Sequence, residues 1–237
     1  VKLFRIGLLV PSSNTTMEWE FWRVLPMDFS IHTARLKLRD VTVEGLELME
    51  SEIDDEALKL ADADVDIILY GCTTGSLFRG VGHDKLIESR IERLTGKPAI
   101  STSGAVVSAL RFLKAERVSV ITPYIDELNV LEERFLVGNG FKVMDLKSLN
   151  IVRNVDIGRV APDAIMNLFS KLDYSSSDAI FISCTNMPTL NLIDKLERVA
   201  GIPVLSSNSA SMWAVLKRLN YVFGIKGYGR LLASIGN

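Results

Sequence analysis

Short apolar runs separated by longer amphipathic stretches set the rhythm of this chain. Arg5-Ile-Gly-Leu-Leu-Val-Pro11 reads as a buried strand that proline stops. Ser12, Ser13, Asn14, Thr15 and Thr16 then offer N-cap residues for a helix over 17–25. Phe29-Ser-Ile-His-Thr-Ala-Arg-Leu36 alternates and predicts a second strand. A long helical pattern over 43–63 leads into the apolar run that ends at Cys72. Gly71, Gly75, Gly80 and Gly82 predict a flexible connection, followed by a helix over 84–94. Gly96-Lys-Pro98-Ala-Ile-Ser101 is a loop entering a short strand, and 103–114 is the next helix.

At Arg117 the pattern restarts. Arg117-Val-Ser-Val-Ile-Thr-Pro123-Tyr124 matches Arg5 to Ser12 position for position at an offset of 112 residues. Asp66-Ile-Ile-Leu-Tyr-Gly-Cys72-Thr73-Thr74 and Asp178-Ala-Ile-Phe-Ile-Ser-Cys184-Thr185-Asn186 match at the same 112. Arg93-Leu-Thr-Gly96-Lys-Pro98-Ala-Ile-Ser101 matches Arg198-Val-Ala-Gly201-Ile-Pro203-Val-Leu-Ser206 at 105, so the first copy carries seven extra residues around 75–82. Strands alternating with helices imply mostly parallel sheets flanked by helices. The expected fold is α/β with two pseudo-symmetric domains: 1–115, with the tail 215–237 packing back on it, and 116–214. Ligands in such sheets bind at the carboxyl ends of the strands. Pro11, Cys72, Pro123 and Cys184 all end strands, so the residues after them should ring one cleft.

Composition narrows the function classes. The 237 residues are 48% hydrophobic and 24% charged with a net charge of −2, enough for a sizeable core. No basic block interleaves with aromatics, which argues against nucleic acid. Every apolar run is strand-sized, short of the roughly 18–20 residues that span a bilayer, and the N-terminal stretch has no signal-peptide core. A cytoplasmic protein is expected. Its two cysteines do not make a disulfide framework.

Cys72 and Cys184 are the leading catalytic candidates. A cysteine at a strand end followed by a turn faces backbone N–H groups that favour thiolate over a thiol of pKa about 8.5. A thiolate can act as a nucleophile or as a carbon base. Thr73, Thr74, Ser76 and Thr185 add hydroxyl donors suited to carboxylate oxygens. An isolated cysteine after an apolar run would more simply be a small core hydrophobe; its repetition in both copies favours function. Asn14 could bind an anion or cap the following helix, and both readings stand. Tyr124, the repeat counterpart of Ser12, has a phenol able to donate to an oxyanion. Asn154 lies in a polar loop. No phosphate-binding glycine loop is present, and neither His32 nor His83 stands in metal-ligand spacing.

Pro11-Ser-Ser-Asn14, Gly71-Cys-Thr-Thr-Gly-Ser76, Thr122-Pro-Tyr124, Asn154-Val-Asp-Ile-Gly158 and Ser183-Cys-Thr-Asn186 together resemble the maleate cis-trans isomerases. These belong to the aspartate/glutamate racemase superfamily, with the arylmalonate decarboxylases, and the resemblance covers essentially the whole chain. It implies a cofactor-free enzyme with one cysteine from each domain at the interdomain cleft. Cys72 would add to the double bond of a small dicarboxylate and Cys184 would handle protons. Asn14, Tyr124 and Asn154 would hold the carboxylates, helped by Thr73, Thr74 and Thr185. The glycine-rich 75–82 segment is a candidate lid element. A homo-oligomer is compatible with the resemblance. Cys72 departs from the decarboxylases, which characteristically have glycine there. Thr185-Asn-Met187 departs from the acidic residue that many amino-acid racemases carry after their second cysteine. Racemase, decarboxylase, non-catalytic dicarboxylate binder and redox dithiol are the alternatives.

Overall fold

The structure, a computed structural model, describes residues 3–236. Its first half runs β1 (Phe4–Pro11), α1 (Met17–Val24), β2 (Phe29–Leu36), α2 (Val43–Ser51), α3 (Ile53–Asp62), β3 (Ile67–Tyr70), α4 (Thr73–Leu77), α5 (His83–Thr95), β4 (Ala99–Ser101) and α6 (Thr102–Phe112). The second half runs β5 (Arg117–Thr122), α7 (Asp126–Gly138), β6 (Lys142–Ser148), α8 (Asn154–Ile157), α9 (Pro162–Lys171), β7 (Ala179–Ile182), α10 (Leu190–Ala200), β8 (Val204–Ser206), α11 (Ser207–Arg218) and α12 (Arg230–Ala233).

Each half forms a four-stranded sheet, ordered β2-β1-β3-β4 and β6-β5-β7-β8, with every pairing parallel. Helices cover both faces, so the inner strands are apolar on both sides. In β3, Ile67 and Leu69 join one apolar cluster while Ile68 and Tyr70 join the other. Both clusters contain residues of both halves, so the two sheets share continuous cores. The acid that opens each repeated strand is structural. Asp66 accepts from Arg5 N–H at 2.7 Å, and Asp178 accepts from Glu116 and Arg117 N–H at 3.0 and 2.8 Å. These bonds fix the strand ends opposite the cysteines.

Three expectations change. The helical stretch over 43–63 is two helices, α2 and α3, parted at Glu52 (φ −92°, ψ −4°), whose carboxylate accepts from Lys37 N–H at 2.5 Å. The flexible connection after Cys72 begins with α4, an extra element without a counterpart after Cys184. The 75–82 segment is therefore no lid in its first part, because Gly75 to Phe78 are packed into the core. A Cβ at Gly75 would meet Met49 Cε at 2.6 Å and Tyr70 Oη at 2.7 Å, so only glycine lets the turn sit this close. Finally, the tail touches both halves. Tyr221 packs edge-on against Phe4 and Phe29, whereas Arg230 N–H donates to Glu197 at 2.9 Å. Among the described residues no helix is long and apolar enough to cross a membrane.

Candidate active site

Cys72 and Cys184 follow β3 and β7, and the parallel sheets bring both to one pocket between the halves. The pocket is tight, with about 10 Å³ open to a water-sized sphere, and is walled by Pro11, Leu38, Val41, Thr73, Thr74, Tyr124, Asn154 and Thr185 besides the two cysteines. All the residues expected at the site from sequence line it except Asn14 and Ser76. The lining contains no charged side chain, so an anion held here would meet neutral hydroxyl, amide and backbone donors.

The two thiols are free and almost fully buried, at 4% and 6% exposure. Cys72 is the N-cap of α4: its Sγ takes the place of a capping oxygen and accepts from Gly75 N–H at 3.3 Å. Thr74 Oγ1 lies 3.7 Å from the same sulfur. Burial raises the Cys72 thiol above its ordinary value, and the Gly75 N–H and Thr74 hydroxyl pull it back. Cys184 sits instead in the left-handed region, with φ +89°. A non-glycine residue there is strained by roughly 1–2 kcal/mol, and such strain concentrates at functional sites. Its Sγ accepts from Asn186 N–H at 3.4 Å. Burial pushes the Cys184 thiol up to about 12; Asn186 N–H and the Tyr124 hydroxyl oppose this, while negative charge on Cys72 or Glu132 adds to it.

Hydrogen bonds between the halves hold this geometry. Ser207, at the start of α11, accepts from Thr73 Oγ1 at 2.9 Å and from Cys184 N–H at 3.0 Å, tying the two cysteine turns together. Thr185 Oγ1 donates to the Gly71 carbonyl at 3.0 Å. Asn186 Nδ2 donates to the Asn154 carbonyl at 2.6 Å, and Asn154 Nδ2 donates to Ser13 Oγ at 2.9 Å. Over the pocket the 38–41 loop pairs with 152–154: Val41 N–H donates to the Val152 carbonyl at 2.8 Å, and Asn154 N–H to the Arg39 carbonyl at 2.9 Å.

Ser76, whose hydroxyl donates to the Cys72 carbonyl at 2.8 Å, stands off the pocket wall, and so does Asn14. Its Oδ1 accepts from Thr16 and Met17 N–H, both at 3.0 Å, which is the helix-capping role. Its Nδ2 donates to Thr185 Oγ1 at 3.0 Å, so it orients a wall residue from behind. Ser207, Ser183 and Asn186 were not singled out as site residues from sequence. Asn186 lies in the Ser-Cys-Thr-Asn segment that carried the resemblance, and Ser207 is the repeat counterpart of Thr102 at the offset of 105. That alignment was the available signal.

Two pseudo-symmetric parallel sheets that each deliver one cysteine to a shared pocket without charged side chains define a two-thiol architecture. The sequence profile of the arylmalonate decarboxylase family matches residues 6–232. Maleate isomerase of Geobacillus stearothermophilus is 35% identical over 246 residues, covering 98% of both chains. A cysteine-to-serine variant of Nocardia farcinica maleate cis-trans isomerase, with a covalently bound succinylcysteine intermediate, superposes with a TM-score of 0.95 at 34% identity over 98% of each chain. A cysteine-to-alanine variant of the maleate isomerase from Pseudomonas putida S16, with maleate, gives 0.96 at 31% identity over the full length of both. The chain belongs to the arylmalonate decarboxylase family, with maleate isomerases as full-length relatives.

Proposed function

We propose that this protein is a cofactor-independent cis-trans isomerase of maleate or a similar small cis-dicarboxylate. The observation that carries the reading is the pair of inequivalent thiols facing one small pocket lined by neutral donors. Cys72 as thiolate adds to one alkene carbon, and the electron pair moves toward the far carboxylate as an enediolate. That charge requires fixed donors: Thr74, Tyr124 and Asn154 are at hand, while Thr73 and Thr185, whose hydroxyl protons go to Ser207 and the Gly71 carbonyl, would have to turn them to the substrate when it binds. Cys184 gives its proton to the carbanion. Rotation about the new C2–C3 single bond and return of that proton to Cys184 let Cys72 leave with the trans alkene. The closed pocket keeps water from the intermediate. Each half acts as a domain that supplies one thiol, and a cytoplasmic setting would keep both reduced.

Proton NMR of the purified protein with maleate and no added cofactor tests the reading. Fumarate should accumulate, and Cys184→Ala should retain a succinyl adduct on Cys72 detectable by mass spectrometry. Absence of fumarate across a broad pH range, with maleate recovered intact, would refute it.

A further inference from the structure

Two glutamates hold matching places in the repeat, Glu20 on α1 and Glu132 on α7, at the offset of 112. Both are buried, at 3% and 0% exposure. Glu20 is fully answered: Thr189 and Leu190 N–H donate to it at 2.8 and 3.0 Å, and Asn208 Nδ2 at 2.6 Å. Glu132 is not, for neither carboxyl oxygen has a partner at hydrogen-bonding geometry. The repeat explains the difference. On this side α4 has been added, and its Leu77 packs beside Glu132 at a gap too tight to admit a water molecule. The counterpart of Asn208 is Ser103, a shorter residue at the same gap whose hydroxyl also lacks a partner.

An unpaired carboxylate in such surroundings is costly, and the group takes up a proton instead. Burial pushes the Glu132 carboxyl up to about 8, opposed by the Ser183 hydroxyl beside it. A neutral acid is a donor, and Ser183 offers an oxygen. Ser183 in turn donates to Tyr124 Oη at 3.3 Å, and Tyr124 shares the pocket wall with Cys184, whose thiol its hydroxyl pulls down.

We propose that Glu132, as a neutral acid, anchors a one-directional hydrogen-bond chain through Ser183 and Tyr124 that ends on the Cys184 sulfur. It is a positioning residue for the second thiol, and the inference rests on the isomerase reading of the pocket. With Glu132 protonated, each hydroxyl donates forward and Tyr124 steadies Cys184 once its proton has left. When Glu132 ionises, Ser183 turns its proton back to the carboxylate, Tyr124 turns toward Ser183, and the sulfur loses its donor. The titratable groups facing Glu132 are Tyr124 and Cys184. Of the elements packed against α7, α4 and β7 carry none. On β6, Asp145 and Lys147 pair at 2.9 Å and Lys142 is exposed. Arg111 of α6 and Asp126, Glu127, Glu133 and Arg134 of α7 itself lie toward solvent.

The test uses the full chain with Glu132→Gln, Glu132→Leu and Ser183→Ala. Difference infrared spectroscopy follows the protonated carboxyl stretch without any turnover. That band should titrate away near pH 8 in the wild type, vanish in Glu132→Gln and move its midpoint in Ser183→Ala. With maleate, the wild type should lose activity on an alkaline limb near pH 8 that Glu132→Gln removes, because the amide donates at every pH. Neutral-pH kcat of Glu132→Gln should stay within about threefold, while Glu132→Leu and Ser183→Ala each lose about tenfold in kcat with KM within about twofold. If the leucine variant fails to fold, Ser183→Ala interrupts the same chain one residue further on and decides in its place. An unchanged alkaline limb in Glu132→Gln, or a carboxyl titrating in the ordinary range, overturns the proposal. A wild type inert toward maleate whose infrared titration still moves in Ser183→Ala overturns the isomerase reading and leaves the hydrogen-bond chain standing.

Discussion

The two cysteine turns start from the same strand pattern and end in different chemistry. After β3 the chain enters α4 at once, so Cys72 has an extended backbone (φ −137°) and its sulfur faces the Gly75 N–H as a helix cap. After β7 no helix follows immediately, and Cys184 takes φ +89°, with one backbone N–H at its sulfur and a tyrosine beside it. Negative charge on Glu132 and on Cys72 both disfavour ionisation of Cys184. Burial raises both thiols; the Gly75 N–H and the Thr74 hydroxyl oppose this at Cys72, whereas the Cys184 thiol is pushed up to about 12. The seven extra residues in the first copy change which backbone donors reach the sulfur, and under the isomerase proposal that difference divides the labour.

The largest effects should come from removing each thiol in turn. Cys72→Ala and Cys184→Ala should each lose about a thousandfold or more in turnover. Only Cys184→Ala should still form a covalent adduct with maleate, and an adduct on Cys184 in Cys72→Ala would invert the assignment.

Next in size is the glutamate pair behind the turns. Glu20 is raised in the folded protein from 4.5 to about 7 by burial, against the lowering effect of the Leu190 N–H, Asn208 and the Thr189 N–H. Folding therefore takes up a proton between these values. The resulting stabilisation is full below pH 4.5 and is lost as pH rises to about 7. The swing is on the order of 3 kcal/mol. Glu20→Gln should flatten the dependence of denaturation midpoint on pH across this window; an unaltered slope would assign the effect to other groups.

Ser207→Ala cuts the hydrogen bonds that join Thr73 to the Cys184 turn. Losing about 1–1.5 kcal/mol of positioning should lower kcat roughly tenfold, with less effect on the melting temperature; unchanged kinetics would mean the turns hold their register without it. The smallest effect concerns backbone alone. At position 184 glycine should be more stable than alanine by about 1 kcal/mol, because it tolerates positive φ. At position 72, where φ is negative, the order should reverse. Denaturant titration of the four variants would decide, and equal Gly/Ala differences at both sites would show that the Cys184 backbone is unstrained.

Much of this was legible in the residues. The 112-residue offset, the apolar runs stopped by Pro11, Cys72, Pro123 and Cys184, and the capping residues before α1 specified a duplicated parallel α/β fold. They also placed both thiols at equivalent strand ends. These signals are local, since a strand's period and a proline's missing N–H need no distant partner. Tertiary packing alone chose which polar group answers which. Asn14 meets Thr185 across 171 positions, and Ser207 joins residues of two different turns. Glu20 and Glu132 are the same residue at the same place in the repeat, and no periodicity distinguishes them. One is satisfied and the other is not, because burial creates the demand for a partner and only the packed neighbours of each helix can supply it.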